Sequence, residues 1–347
     1  MMIKPCILKK GDTVALVSLS SGMIGDKPFI HKYHLGKERL EKVFGLMVAT
    51  MPNTLMGSKF IYEHPELRAK DFMNAFNDPD IKAIISCIGG NDSIRMLPYI
   101  DFEKIKRHPK IFLGFSDSTI SHLIMYKAGV TSFYGPALMT DFAEYTKMFD
   151  YTVDAIKNML FKVNSKYEIK PSKYWTPDYL SWAEENMDES RKLIKDDHGY
   201  ELLQGKGVVK GALLGGCIET LQNAVGTSIW PTIDEWKGKI LFLETSEDHI
   251  QPNRLKDILR NFAAQGIFNV ISGILVGKPH EGMYYDEYKE CYKTIISGEL
   301  KNPALPILYN VNFGHASPIG ILPYGALTEL NCKAKRITIL ETFVSPK

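Results

Sequence analysis

The chain has 347 residues, too long for one small core and of a length that favours two domains, and its 45% hydrophobic and 24% charged composition is that of a globular enzyme and not of a disordered or fibrous protein. With 42 basic against 40 acidic residues the formal net charge is only +2, which leaves no electrostatic footprint for nucleic acid or an anionic membrane surface. Five scattered cysteines without a CxxC pair, no apolar run near the roughly 20 residues that span a bilayer, and no export signal at the N-terminus together predict a cytoplasmic protein without disulfides or a zinc site, whose partners are small molecules or copies of itself.

In chain order, Thr13 to Ser18, Ala83 to Ile88 and Ile111 to Phe115 are short apolar runs followed by Gly or Ser, the pattern of buried parallel strands with polar loops at their carboxyl ends. Between the first two, Glu66 to Phe76 reads as a helix carrying Leu67, Asp71, Phe72 and Ala75, closed by Asn77-Asp78-Pro79. This is the grammar of an open, doubly wound sheet, where sites form beyond the carboxyl ends of the strands. From about 161 to 207 the chain loses periodicity and becomes polar and aromatic, which predicts an interdomain connection carrying a binding loop. Then follow Gly211 to Gly216 with a helix through Leu221, a strand over Lys239 to Leu243, a helix over Asn253 to Ala264, a strand over Gly273 to Val276, and a last strand at Arg336 to Leu340. The expected organisation is an N-terminal domain over 1–165, a linker and binding loop over 166–206, and a C-terminal domain over 207–347.

Gly114-Phe115-Ser116-Asp117 joins an apolar strand to the helical stretch Ser118 to Lys127. A serine in such a turn exposes its hydroxyl at the sheet edge, next to free helix N–H groups that favour a developing anion. Taken alone, the motif reads more readily as a helix cap supplied by Ser116, Asp117 or Ser118. Glu244 ends the strand Ile240 to Leu243, and His315 sits between Gly314 and Pro318 in what reads as a fixed loop, so a hydroxyl, an imidazole and a carboxylate are all at hand for nucleophilic catalysis. Of the other histidines, His31, His34, His64 and His108 lie in polar stretches typical of surface, His122 is inside the nucleophile helix and His198 is in the linker. His249 and His280, each after a predicted strand, are the rivals of His315. No HExxH or comparable ligand spacing occurs, so no metal is expected. Ile88-Gly89-Gly90-Asn91-Asp92-Ser93 supplies glycines whose N–H groups could approach an oxyanion, while the GxGxxG and GxxxxGKS phosphate loops are missing.

Taken together and in order, Gly89-Gly90, Gly114-Phe115-Ser116-Asp117, Leu214-Gly215-Gly216, Leu243-Glu244-Thr245-Ser246-Glu247-Asp248, Phe313-Gly314-His315 and Leu322-Pro323-Tyr324-Gly325 resemble the LD-carboxypeptidase family of serine peptidases over almost the whole chain. The resemblance implies an α/β fold: an N-terminal open-sheet domain like that of class I glutamine amidotransferases and a smaller C-terminal β/α domain. It also implies a triad of Ser116, Glu244 and His315, an oxyanion hole from Gly89, Gly90 and Asp117, a homodimer, and no cofactor. Cell-wall recycling members, which trim murein tetrapeptides, carry Arg-Gly-Gly-Tyr-Gly at the first glycine turn, where this chain has Ile88-Gly89-Gly90-Asn91-Asp92. That departure, with the long aromatic linker, is similar to the microcin C self-immunity branch, which cleaves an amide between an acidic amino acid and a nucleotide-like group. The expected substrate is accordingly a small peptide or aminoacyl-nucleotide, with Trp182, Asn91, Gly215 and Gly216 as substrate contacts. For Trp182 the competing reading is packing between the domains.

Overall fold

The computed structural model describes residues 2–346. Six strands form the first sheet in the order Leu322–Pro323, Phe133–Tyr134, Ile111–Gly114, Ile81–Ser86, Thr13–Val17 and Met47–Thr50. The last five run parallel, as expected of runs such as Ile111 to Leu113 that are buried on both faces. The winding reverses between Thr13–Val17 and Ile81–Ser86, so the loops after these two strands open a crevice at the sheet's carboxyl edge. Ser116 follows the neighbouring strand.

The helix expected over Glu66 to Phe76 runs over Pro65–Asn77, with Pro65 in the first turn, where its missing N–H costs nothing. Its buried face includes Arg68, one turn before Phe72, whereas Leu67 is only partly buried. The Arg68 guanidinium is 0% exposed; it pairs with Asp92 at 2.7 Å and donates to the Ser20 carbonyl at 3.0 Å. One buried cation therefore ties together the loops after two strands, and its burial is tolerable because those partners are in place.

The second sheet has eight strands, in the order Tyr167–Ile169, Arg336–Ile339, Leu327–Asn331, Val208–Cys217, Ile240–Glu244, Gly273–Gly277, Ile307–Val311 and Glu201–Gln204. Its four consecutive members from Val208–Cys217 to Ile307–Val311 are parallel and the flanks antiparallel. The molecule is thus a mixed α/β protein with two sheet-containing parts. The stretch expected to be a connection contributes both edge strands of this sheet, and Leu322–Pro323 returns to the first sheet beside Phe133–Tyr134. All five cysteines are free thiols, and among the described residues no helix is long and apolar enough to cross a membrane.

Candidate active site

The strand Ile111–Gly114 is buried throughout, and the chain leaves it through Phe115 into a tight turn. There Ser116 adopts φ 61°, a left-handed conformation that a side-chain-bearing residue holds at a cost of about 1–3 kcal/mol. The turn Ser116–Ser118 then opens the helix Thr119–Lys127. Strain of this kind persists where the surroundings over-determine it, and here Ser116 N–H donates to Tyr134 Oη at 3.1 Å while Thr119 Oγ1 donates to the Ser116 carbonyl at 2.7 Å.

Glu244 is the last residue of Ile240–Glu244 and is 1% exposed. Its Oε2 lies 2.6 Å from His315 Nδ1, and its Oε1 accepts from Tyr134 Oη at 2.5 Å. Gly314, at φ 88°, makes this approach feasible, since a Cβ there would come within 2.5 Å of Glu244 Oε2. The Phe115 ring packs edge-on to the His315 imidazole, with centroids 4.9 Å apart, so the nucleophile turn and the histidine loop are in contact. The other ring nitrogen, His315 Nε2, faces Glu247 Oε2 at 2.9 Å. Burial by itself would push His315 down, but the carboxylates of Glu244 and Glu247 outweigh it and hold the imidazole well above its ordinary value of 6.5. The bond to His315 in turn pulls the Glu247 carboxyl down to about 2.

Gly89 lies against Ser116 so closely that a Cβ would sit 2.7 Å from Ser116 Cβ and 3.4 Å from the Asp117 nitrogen. Gly89 and Asp117, both expected as oxyanion donors, thus converge on Ser116; Gly90 packs on Ser20 and Asn91 is exposed on the same loop. The Asp117 carboxylate is buried and accepts from Ser20 Oγ at 2.5 Å and from Ser93 N–H at 2.8 Å, which clamps two loops onto the turn. Gly215 and Gly216 are buried: a Cβ on the first would strike the Phe242 carbonyl oxygen at 1.8 Å, and one on the second would meet Thr119 at 2.5 Å. The first thus packs on the neighbouring strand Ile240–Glu244, and the second on the first residue of the helix Thr119–Lys127.

The sequence model for the LD-carboxypeptidase N-terminal domain matches residues 14–135, and that for the LD-carboxypeptidase C-terminal domain matches residues 210–330. The chain belongs to the LD-carboxypeptidase family. It is similar to the microcin C7 self-immunity protein MccF of Escherichia coli, 31% identical over 281 residues, which cover 80% of this chain and 79% of that protein. Among solved structures it resembles an MccF-like protein of Streptococcus pneumoniae in complex with AMP, with a TM-score of 0.87 at 35% identity over 95% of this chain and 98% of that one. MccF in complex with aspartyl sulfamoyl adenosine gives a TM-score of 0.85 at 26% identity, covering 99% of this chain and 100% of that one. Membership of this family makes the chain a peptidase, a hydrolase of amide bonds.

In this LD-carboxypeptidase the stretch between the sheets lies over the histidine loop. Thr176 N–H donates to the Ser317 carbonyl at 3.0 Å, and Arg191, paired with Glu144, donates to Ser317 Oγ at 3.1 Å. Trp182 is half-buried, with Lys32 Nζ 5.3 Å from its ring centroid. His122 is fully enclosed between Ser132 Oγ and the Gly114 carbonyl, and burial pushes it down to about 3, so it is a neutral strut of the turn. His31 corrects the expectation of a surface residue: it is 6% exposed and bonds Tyr145 Oη at 2.8 Å. His249 and His280, the rivals, contact each other at 3.1 Å. Sequence reasoning passed over Tyr134 and Glu247, the two residues that flank the carboxylate–histidine pair.

Proposed function

We propose that this LD-carboxypeptidase is a serine-type enzyme that hydrolyses the amide joining an acidic amino acid to a nucleotide-like group, as in processed microcin C. The observation that carries the substrate is the likeness, over nearly the whole chain, to proteins solved with AMP and with aspartyl sulfamoyl adenosine. The chemistry is supported by a strained serine whose turn packs, through Phe115, against a histidine that a buried carboxylate orients at 2.6 Å. His315 Nε2, once Glu247 moves off it, takes the Ser116 proton as Oγ attacks the amide carbonyl. The oxyanion is received by N–H groups of the Gly89-Gly90 turn and of Asp117. The nucleotide amine leaves with the proton from His315, and water attacks the aspartyl ester of Ser116, activated by the same imidazole. Trp182 stacks on the base. A cytoplasmic homodimer, an N-terminal unit like class I glutamine amidotransferases and domain limits at 165 and 206 belong to the same reading.

Incubation with aspartyl sulfamoyl adenosine and, in parallel, with a murein tetrapeptide tests it. Release of aspartate from the first, with the tetrapeptide intact, is the expected result. Cleavage of the tetrapeptide alone would place the chain with the murein-recycling enzymes.

A further inference from the structure

The turns after two adjacent parallel strands, Ile240–Glu244 and Gly273–Gly277, bring His249, His280 and Glu281 to one place. His249 Nε2 and His280 Nδ1 are 3.1 Å apart with the rings stacked at 24°, and Glu281 Oε2 is 3.8 Å from His249 Nε2. All three donor atoms lie within 4.8 Å of one another. Zinc held tetrahedrally at about 2.0–2.1 Å sets its donors roughly 3.3 Å apart, and two imidazoles with one carboxylate are a donor set it takes. A hydrogen bond between the two imidazoles would account for the nitrogen contact. It does not account for the backbone, where both His249 (φ 47°) and Glu281 (φ 54°) are held in the left-handed region without being glycine.

The two turns are also fixed without help from the histidines. Tyr288 Oη donates to the Ile250 carbonyl at 2.6 Å, and Gln251 Nε2 donates to Tyr284 Oη at 2.8 Å. The donors are therefore preorganised, and with side-chain exposures of 25% for His249 and 29% for Glu281 they stay in reach of solvent. The location is beside the candidate triad: Glu247, two residues before His249, contacts His315, and Gly282, directly after Glu281, lies against Trp175, whose neighbour Thr176 bonds Ser317.

We propose that His249, His280 and Glu281 form a divalent-metal site of the zinc type, adjacent to the His315 loop, with the remaining coordination position left to water or an anionic oxygen of a bound ligand. The site is separate from the serine chemistry proposed above.

Chelator-stripped protein titrated with Zn²⁺ by calorimetry should bind one ion per chain. His249→Ala and His280→Ala should each weaken binding by more than the ~10–100-fold that changes in outer-shell partners cost, and His198→Ala should leave it as in wild type. Ser116→Ala should bind zinc normally, so a failure of the serine reading and a failure of the metal reading are separate results. In the wild-type protein loaded with Co²⁺, two paramagnetically shifted imidazole N–H resonances are expected, a readout that does not depend on any variant folding. Absence of stoichiometric binding, stoichiometric binding that survives both histidine variants, or a cobalt spectrum without shifted imidazole protons would overturn the proposal.

Discussion

The Tyr134 hydroxyl stands between Ser116 and Glu244, accepting the Ser116 N–H at 3.1 Å and donating to Glu244 Oε1 at 2.5 Å. It thereby couples the strained turn of the first sheet to the carboxylate of the second. Tyr134→Phe leaves a buried carboxylate oxygen and a backbone N–H without this partner, a loss of roughly 1–3 kcal/mol. Chemical denaturation should show a destabilisation of that order. If Ser116 and Glu244 belong to the proposed triad, kcat should fall more than KM rises; unchanged kcat in a folded variant would reduce the tyrosine to a packing residue.

Glu247 contacts the His315 nitrogen that the proposed mechanism uses as its base, and on that reading the pair sets the pH response. A base must be unprotonated, so kcat/KM should rise with pH through the elevated His315 value, and Glu247→Gln should move that acid limb to lower pH. The sign for stability follows from the same shifts. The protonated imidazole contributes below 6.5 and its contribution is lost as pH rises through the raised folded value, whereas the Glu247 carboxylate contributes above 4.5 and is lost as pH falls toward about 2. The stability difference between wild type and Glu247→Gln should therefore be widest between 4.5 and 6.5. A limb that stays put in the variant would show that Glu247 does not contact the working histidine.

His315→Ala should be as damaging as Ser116→Ala, several powers of ten and on the order of a millionfold in the best-studied triad, with the double variant hardly worse than either. Glu244→Gln should be milder. Single-turnover rates on aspartyl sulfamoyl adenosine check this. Activity abolished by His249→Ala or His280→Ala but surviving His315→Ala would mean that another histidine is the base.

Trp182→Ala should weaken processing of a nucleotide-bearing substrate by roughly 5- to 150-fold, from base stacking worth about 1–3 kcal/mol at 1.4 kcal/mol per decade. A short acidic dipeptide should be cleaved as before. Trp182 also covers the buried ammonium of Lys32, so equal losses on the two substrates in steady-state kinetics would assign the indole to packing.

The strand-turn-helix around Ser116 is legible in the sequence because a buried apolar run stops at a small-residue turn, and Glu244 is legible because it closes another such run. Tyr134 is not, since a two-residue strand has no periodicity and its hydroxyl's partners are remote in sequence. Nor is Glu247: Glu244 to Asp248 holds three carboxylates, and only the fold of the turn decides which of them reaches the histidine. The edge strands Tyr167–Ile169 and Glu201–Gln204 escape for a related reason, being segments of three and four residues whose pairing partners, Arg336–Ile339 and Ile307–Val311, are distant in sequence. The histidine pair of 249 and 280 arises from the adjacency of two strands, which spacing along the chain does not encode.

On the mechanism proposed above, Ser116 is a nucleophile activated by His315 and Glu244. Native protein treated with a fluorophosphonate and analysed by peptide mass mapping tests it most directly. A single adduct on Ser116, absent from Ser116→Ala and strongly slowed in His315→Ala, is the predicted result; no adduct on folded protein, or one on a different residue, would contradict it.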